Sequence, residues 1–186
     1  RCVMKKTIFT LMVISLFTVS AVNAGDLVFP KSRHEIAQAL SYKETTAEID
    51  GKTYVTTESG EVFMVVGGER YRTRGIAGTT LQKELAPKTG ALIMFDYNSA
   101  IIKEESHDIL KEYASVLSNE LSGAKLVIEG YTDDHGSADY NKDLSAQRSQ
   151  AVKEFLIAKF DISEDRLSIT GAGEMHPIAS NDTAEG

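Results

Sequence analysis

An aspartate and an arginine carry the clearest chemical possibility in this sequence. Asp133 lies in the loop Gly130-Tyr131-Thr132-Asp133-Asp134-His135-Gly136, directly after the apolar run Lys125–Glu129. The C-terminal ends of strands are where α/β sheets commonly place ligands. Arg148 stands four residues after Leu144 and four before Val152, so helical spacing puts its guanidinium on the inner side of a helix. A charge there is costly unless partnered, and Asp133 is the natural partner or neighbour. A carboxylate and a guanidinium at the mouth of one cleft can together grip a zwitterion. The aspartate takes an ammonium group and the arginine takes a carboxylate, with bidentate geometry available. The head of an amino acid fits that description. The same two residues could equally pair with each other as a salt bridge that specifies the fold.

The elements that must position this pair are legible from Gly90 onward. Ala91–Phe95 is an apolar run of strand length, as expected of a strand covered on both faces. Glu104–Leu121 places Leu110, Tyr113, Ala114, Leu117 and Leu121 on one face and stops at Ser122-Gly123, which predicts an amphipathic helix. Lys125–Glu129 reads as the second strand, parallel to the first through a right-handed crossover. A second helix is expected from about Asp139 to Phe160, then a third strand over Arg166–Thr170 leading into Gly171-Ala172-Gly173. The order strand, helix, strand, helix, strand implies a sheet with its helices packed against it.

Upstream the signals are weaker. Ser32–Leu40 has the spacing of a short helix with Ser32 as N-cap. Glu48–Val55 places an Asp50-Gly51 turn between strand-forming residues, and Val62–Val66 is a strand candidate before the Gly67-Gly68 turn. Arg74 to Thr89 mixes glycine, charge and one proline, as a connector does. Residues 25–88 are therefore read as an N-terminal region of unknown role plus connector, and 89–186 as the main domain.

Met4-Lys5-Lys6, the uncharged apolar stretch Thr7–Ala21 and the small-residue ending Val22-Asn23-Ala24 form the pattern of a secretory signal peptide, residues 1–24, with Arg1-Cys2-Val3 as an upstream extension. The apolar stretch is shorter than the roughly 20 residues of a membrane span, although an uncleaved N-terminal anchor is the alternative. Cys2 precedes the signal, so the expected exported chain has no thiol for lipid attachment or a disulfide. The expected location is the periplasm or the outer membrane as an associated protein, not a lipoprotein. The chain holds 20 basic and 27 acidic residues, net −7, and losing the three basic residues of the leader takes this to −10. Such a surface repels nucleic acid and anionic headgroups, which argues against those partners.

Four spaced motifs resemble one family. They are Phe95-Asp96-Tyr97-Asn98-Ser99-Ala100, Gly130-Tyr131-Thr132-Asp133-x-x-Gly136, Tyr140-Asn141-x-x-Leu144-Ser145-x-x-Arg148 and Gly171-x-Gly173-x-x-x-Pro177. Their order and spacing resemble the C-terminal domain shared by OmpA, Pal lipoproteins and flagellar stator proteins. The resemblance covers the last half of the chain. It implies an α+β fold, a two-layer βαβαβ sandwich with a mixed sheet. It also implies non-covalent binding of the diaminopimelate-bearing stem peptide of peptidoglycan, with no cofactor and no catalysis. Asp133 and Arg148 would then be the main ligand pair, with Asn98 and Asn141 lining the cleft. Asn141 serves equally as a helix cap and Asn98 as a turn residue; Ser145 reads as structural. Tyr131 stands where the family often has histidine. The family also continues with a Gly-Arg-x-x-Asn-Arg-Arg-Val segment, of which Gly186 resembles the first residue, so the resemblance implies truncation at the C-terminus. No eight-strand barrel pattern precedes the domain.

Two other classes are set against this reading. Asp133, Asp134 and His135, joined by His107 or His176, could be metal ligands of a hydrolase, but consecutive residues rarely converge on one ion and no H-E-x-x-H pattern exists. No nucleophile elbow Gly-x-Ser-x-Gly is present either. Alternatively, the chain is a periplasmic protein-interaction module, with residues 25–88 contacting an envelope protein or mediating oligomerisation. The oligomeric state is not legible.

Overall fold

Apolar runs and amphipathic periodicity resolve into the expected helix-on-sheet layers. The computed structural model describes residues 9–15, 29–41, 45–58, 61–73 and 86–175. In chain order these form β1 (Phe9–Ser15), α1 (Arg33–Leu40), β2 (Thr45–Ile49), β3 (Lys52–Thr56), β4 (Val62–Val66), β5 (Glu69–Arg72), β6 (Lys88–Met94), α2 (His107–Ser118), β7 (Leu126–Tyr131), α3 (Ala138–Phe160) and β8 (Leu167–Gly173). Single 3-10 turns at Glu104–Ser106 and Glu164–Arg166 lead into α2 and β8.

The main sheet has the order β6-β1-β7-β8. β7 and β8 run parallel, Leu126 facing Leu167 and Gly130 facing Gly171. β1 is antiparallel to both β6 and β7, so β6 and β7 share a direction, as the crossover rule requires, yet are not neighbours. The sheet is therefore mixed. The strand between them, Phe9–Ser15, comes from the apolar stretch read as the core of an export leader. Seven apolar or small residues satisfy both descriptions, because a strand paired on both sides and a leader core can be equally free of charge.

One face of this sheet carries the core. Ala91 and Ile93 from β6 with Phe95 just after it, Leu110, Tyr113, Ala114, Val116 and Leu117 from α2, Leu126 and Ile128 from β7, Val152 and Leu156 from α3 and Leu167 from β8 are all buried in one cluster. The helix α1 joins it through Ile36 and Leu40. Ser32 caps α1, its hydroxyl accepting from Glu35 N–H at 3.4 Å while the Glu35 carboxylate accepts from Ser32 N–H at 3.3 Å, a complete capping box. Two arginines act differently. Arg166 donates to the carbonyls of Leu117, Leu121 and Ala124, closing the end of α2 and its following turn onto β8. Arg148 goes to the site described below.

The second sheet, β2-β3-β4-β5, is an antiparallel meander. The expected hairpin is present: Asp50 and Gly51 both have positive φ, 50° and 69°, the signature of a two-residue primed turn between β2 and β3. Most of the stretch read as a connector, residues 74–85, lies outside the described residues, while Lys88 and Thr89 belong to β6. Among the described residues no helix is long and apolar enough to cross a membrane.

Candidate ligand-binding site

The site sits where three segments meet at one end of the main sheet: the loop 96–101 after β6, the loop 132–137 after β7, and the first three turns of α3. Two glycines allow α3 to come down on the strands. A Cβ at Gly130 would lie 2.4 Å from the Ser145 carbonyl oxygen, and one at Gly171 2.6 Å from the Ala146 backbone nitrogen. Since these glycines are register partners on β7 and β8, they form a flat place on the sheet on which α3 rests. Ser145 fastens it there, its hydroxyl accepting from Gly173 N–H at 2.9 Å and donating to the Lys142 carbonyl at 2.8 Å. Its structural reading holds.

The same contact fixes Arg148, which is 1% exposed and among the largest fully buried side chains. Its Nε–H donates to the Ser99 carbonyl at 3.0 Å, and its guanidinium carbon lies 5.1 Å from the centre of the Phe95 ring, within cation–π range. Burial draws the Arg148 pKa below the usual arginine range, while nearby Tyr140 and Asp133 act in the opposite direction by favouring the charged form. The inward guanidinium expected from helical spacing is thus present, with Asp133 as an electrostatic neighbour.

Asp133 projects from the loop after β7, its side chain 22% exposed. Oδ1 accepts the His135 N–H at 3.3 Å, an Asx-type turn that holds the carboxylate in place. His135 Nδ1 lies 3.4 Å from Asp133 and 3.5 Å from Asp134. The base of this loop is tied to β8 by Thr132 N–H donating to the Gly173 carbonyl at 2.9 Å.

The two asparagines separate in role. Asn98 takes a left-handed turn conformation, φ 52°, as the turn reading expects, and its Oδ1 accepts the Tyr140 hydroxyl. Asn141 is buried and donates through Nδ2 to Glu174 at 2.8 Å. It is not the helix cap; Ser137 is, accepting from Tyr140 N–H at 3.2 Å. Through Glu174, Asn141 is joined to the residue just after β8.

Spacing alone missed Phe95, Ser99, Thr132 and Tyr140. Thr132 is notable because its hydroxyl oxygen is buried without a hydrogen-bond partner among the described residues, immediately before Asp133. His107 stacks on Phe155 with ring centres 4.7 Å apart, and among the described residues no group of three or more His, Cys, Asp or Glu side chains is arranged to hold an ion. His176 lies outside the described residues.

Comparison with known proteins agrees with the motif pattern. The family model described as "OmpA family" matches residues 94–186. Outer membrane protein A of Atlantibacter hermannii is 31% identical over 173 residues, covering 88% of this chain and 70% of the relative. The chain belongs to the OmpA family. Outer membrane protein A of Shigella flexneri is 33% identical over 172 residues, covering 88% of this chain and 48% of that protein. The peptidoglycan-binding protein ArfA of Mycobacterium bovis is 37% identical over 106 residues, 57% of this chain and 32% of the relative. This OmpA-family chain thus spans about half the length, or less, of several curated relatives. Among solved structures, the peptidoglycan-associated lipoprotein of Burkholderia pseudomallei aligns over 47% of this chain and 72% of its own, with a TM-score of 0.43 and 24% identity.

Proposed function

We propose that this protein binds peptidoglycan non-covalently, gripping the diaminopimelate residue of the stem peptide, and that it acts in the bacterial envelope as an anchoring or organising component. The observation that supports this reading is that Asp133 is an electrostatic neighbour of the Arg148 guanidinium. The guanidinium is held in a single orientation by Ser99 and Phe95, and the carboxylate is held by its own loop. Diaminopimelate retains an amino-acid head on its side chain, so its ammonium suits Asp133 and its carboxylate suits Arg148. Groups ordered before the ligand arrives lose little freedom on binding. Membership of a family that includes a protein named for peptidoglycan binding supports the same class of ligand.

The deciding measurement is co-sedimentation with purified sacculi for Asp133→Ala, beside Gln147→Ala on the exposed side of α3. Losing one charge-assisted contact of about 1.5–3 kcal/mol weakens binding about ten- to a hundredfold, while Gln147→Ala binds like the parent. A folded Asp133→Ala protein that sediments with the wall as the parent does would overturn the assignment.

A further inference from the structure

Beside the charged cleft lies a patch of exposed apolar side chains that the peptide reading does not use. Tyr97 is 77% exposed, Ile101 66% and Tyr140 42%. Tyr97 and Ile101 come from one short loop, closed by the Asp96 N–H to Ile101 carbonyl bond and the Phe95–Ile102 bridge. Tyr140 comes from the first turn of α3 and is joined to that loop through Asn98. Exposed aromatic rings clustered at the edge of a polar site mark a binding surface more often than an accident of packing.

We infer that this patch is a sugar subsite, in which Tyr97 and Tyr140 pack against a pyranose ring of the glycan strand. The inference rests on the peptide reading of the Asp133/Arg148 cleft. In peptidoglycan the stem peptide is covalently joined to the glycan, and three extended residues reach about 10 Å. Tyr97 is two residues from Ser99, which itself bonds Arg148 at 3.0 Å; two residues span at most about 7 Å. A ligand whose third residue binds Arg148 is therefore long enough for its sugar to reach these rings. A pyranose offers an apolar C–H face and a hydroxylated edge, and tyrosine offers an apolar ring face and a polar tip, so the two are matched in amphipathy. Asn98 holds the Tyr140 hydroxyl and so limits the freedom that ring would lose on binding. An acidic chain, net −7, disfavours an anionic polymer on this surface and leaves a neutral N-acetylated sugar unpenalised.

The test is calorimetry with two soluble ligands, the free tripeptide ending in diaminopimelate and the same tripeptide carrying its disaccharide. The parent protein should bind the disaccharide form about tenfold more tightly, the scale of a single well-placed ring contact. Tyr97→Ala should remove that advantage and leave tripeptide affinity unchanged, and Tyr97→Phe should retain it; circular dichroism checks that each variant is folded. Equal affinity of the parent for both ligands would overturn the subsite while leaving the peptide reading intact, and would assign the patch to a protein partner. Equal weakening of both ligands by Tyr97→Ala would also overturn it, because the ring would then serve the peptide. If the parent binds neither ligand, the peptide reading itself fails and the subsite falls with it.

Discussion

Arg148 donates through Nε to the carbonyl oxygen of Ser99, 49 positions upstream, and this one bond ties the loop after β6 to the middle of α3. The arginine is therefore both a ligand group in the proposed function and an internal brace. Arg148→Ala would leave a carbonyl short of its partner and a space under Phe95, and is expected to lower stability by about 1–3 kcal/mol. Asp133→Ala, on a loop with a partly exposed side chain, is expected to shift the melting temperature far less. Thermal unfolding of the two variants side by side checks this; an Arg148→Ala protein as stable as the parent would show that the brace carries no load.

Gly130 and Gly171 make a second prediction, because neither touches ligand in any reading. Alanine at either position drives a Cβ into backbone atoms of α3, at 2.4 Å and 2.6 Å, and backbone cannot swing aside as a flexible side chain does. The helix must lift, at a cost of about 1–3 kcal/mol. Since Arg148 rides on the same helix, sacculus binding should weaken as well, although no site side chain is altered. Urea denaturation together with co-sedimentation reads both effects.

The contrast between these sites shows what the sequence made legible. The helices α2 and α3 and the strands β7 and β8 were visible because each has one strong period or one apolar run, with bounds displaced by at most three residues. Arg148 was visible because a charge at the spacing of Leu144 and Val152 violates the pattern around it. Its bond to Ser99 was not, since the acceptor is a main-chain carbonyl and carries no side-chain signal. β5, Glu69–Arg72, was missed because all four of its residues are exposed and show no alternation. β1 falls in the stretch read as an export leader, because an uncharged run fits a leader core and a strand paired on both sides alike.

The N-terminus of α1 gives a prediction about acid. The Glu35 carboxylate accepts the backbone N–H groups of Lys31 and Ser32, and these bonds hold its pKa below the ordinary carboxylate value. A group with a depressed folded pKa contributes stability above its unfolded pKa, about 4.3, and that contribution is lost as pH falls through the folded value. Glu35 should therefore titrate below an unstructured glutamate in an NMR experiment, and Glu35→Gln should flatten the acid dependence of α1. Ser32→Ala removes the reciprocal half of the box and is expected to cost about 1 kcal/mol at neutral pH.

The last prediction concerns Phe9–Ser15. β6 and β7 share no ladder with each other; residues 88–94 pair with β1 on one side and residues 127–130 pair with it on the other. A chain beginning at Gly25 lacks their common neighbour, so facing rows of N–H and carbonyl groups lose partners worth about 0.5–1.5 kcal/mol net apiece. Such a chain should unfold at lower urea, and hydrogen exchange should quicken in 88–94 and 126–131 while β2–β5 keep their protection. The same stretch is the expected export leader, and one molecule cannot both retain it as a strand and lose it to a peptidase. The comparison therefore separates the two roles. Equal midpoints and equal protection for the long and short chains would mean that the slot between β6 and β7 is filled or closed by other means, and that β1 is dispensable to the exported fold.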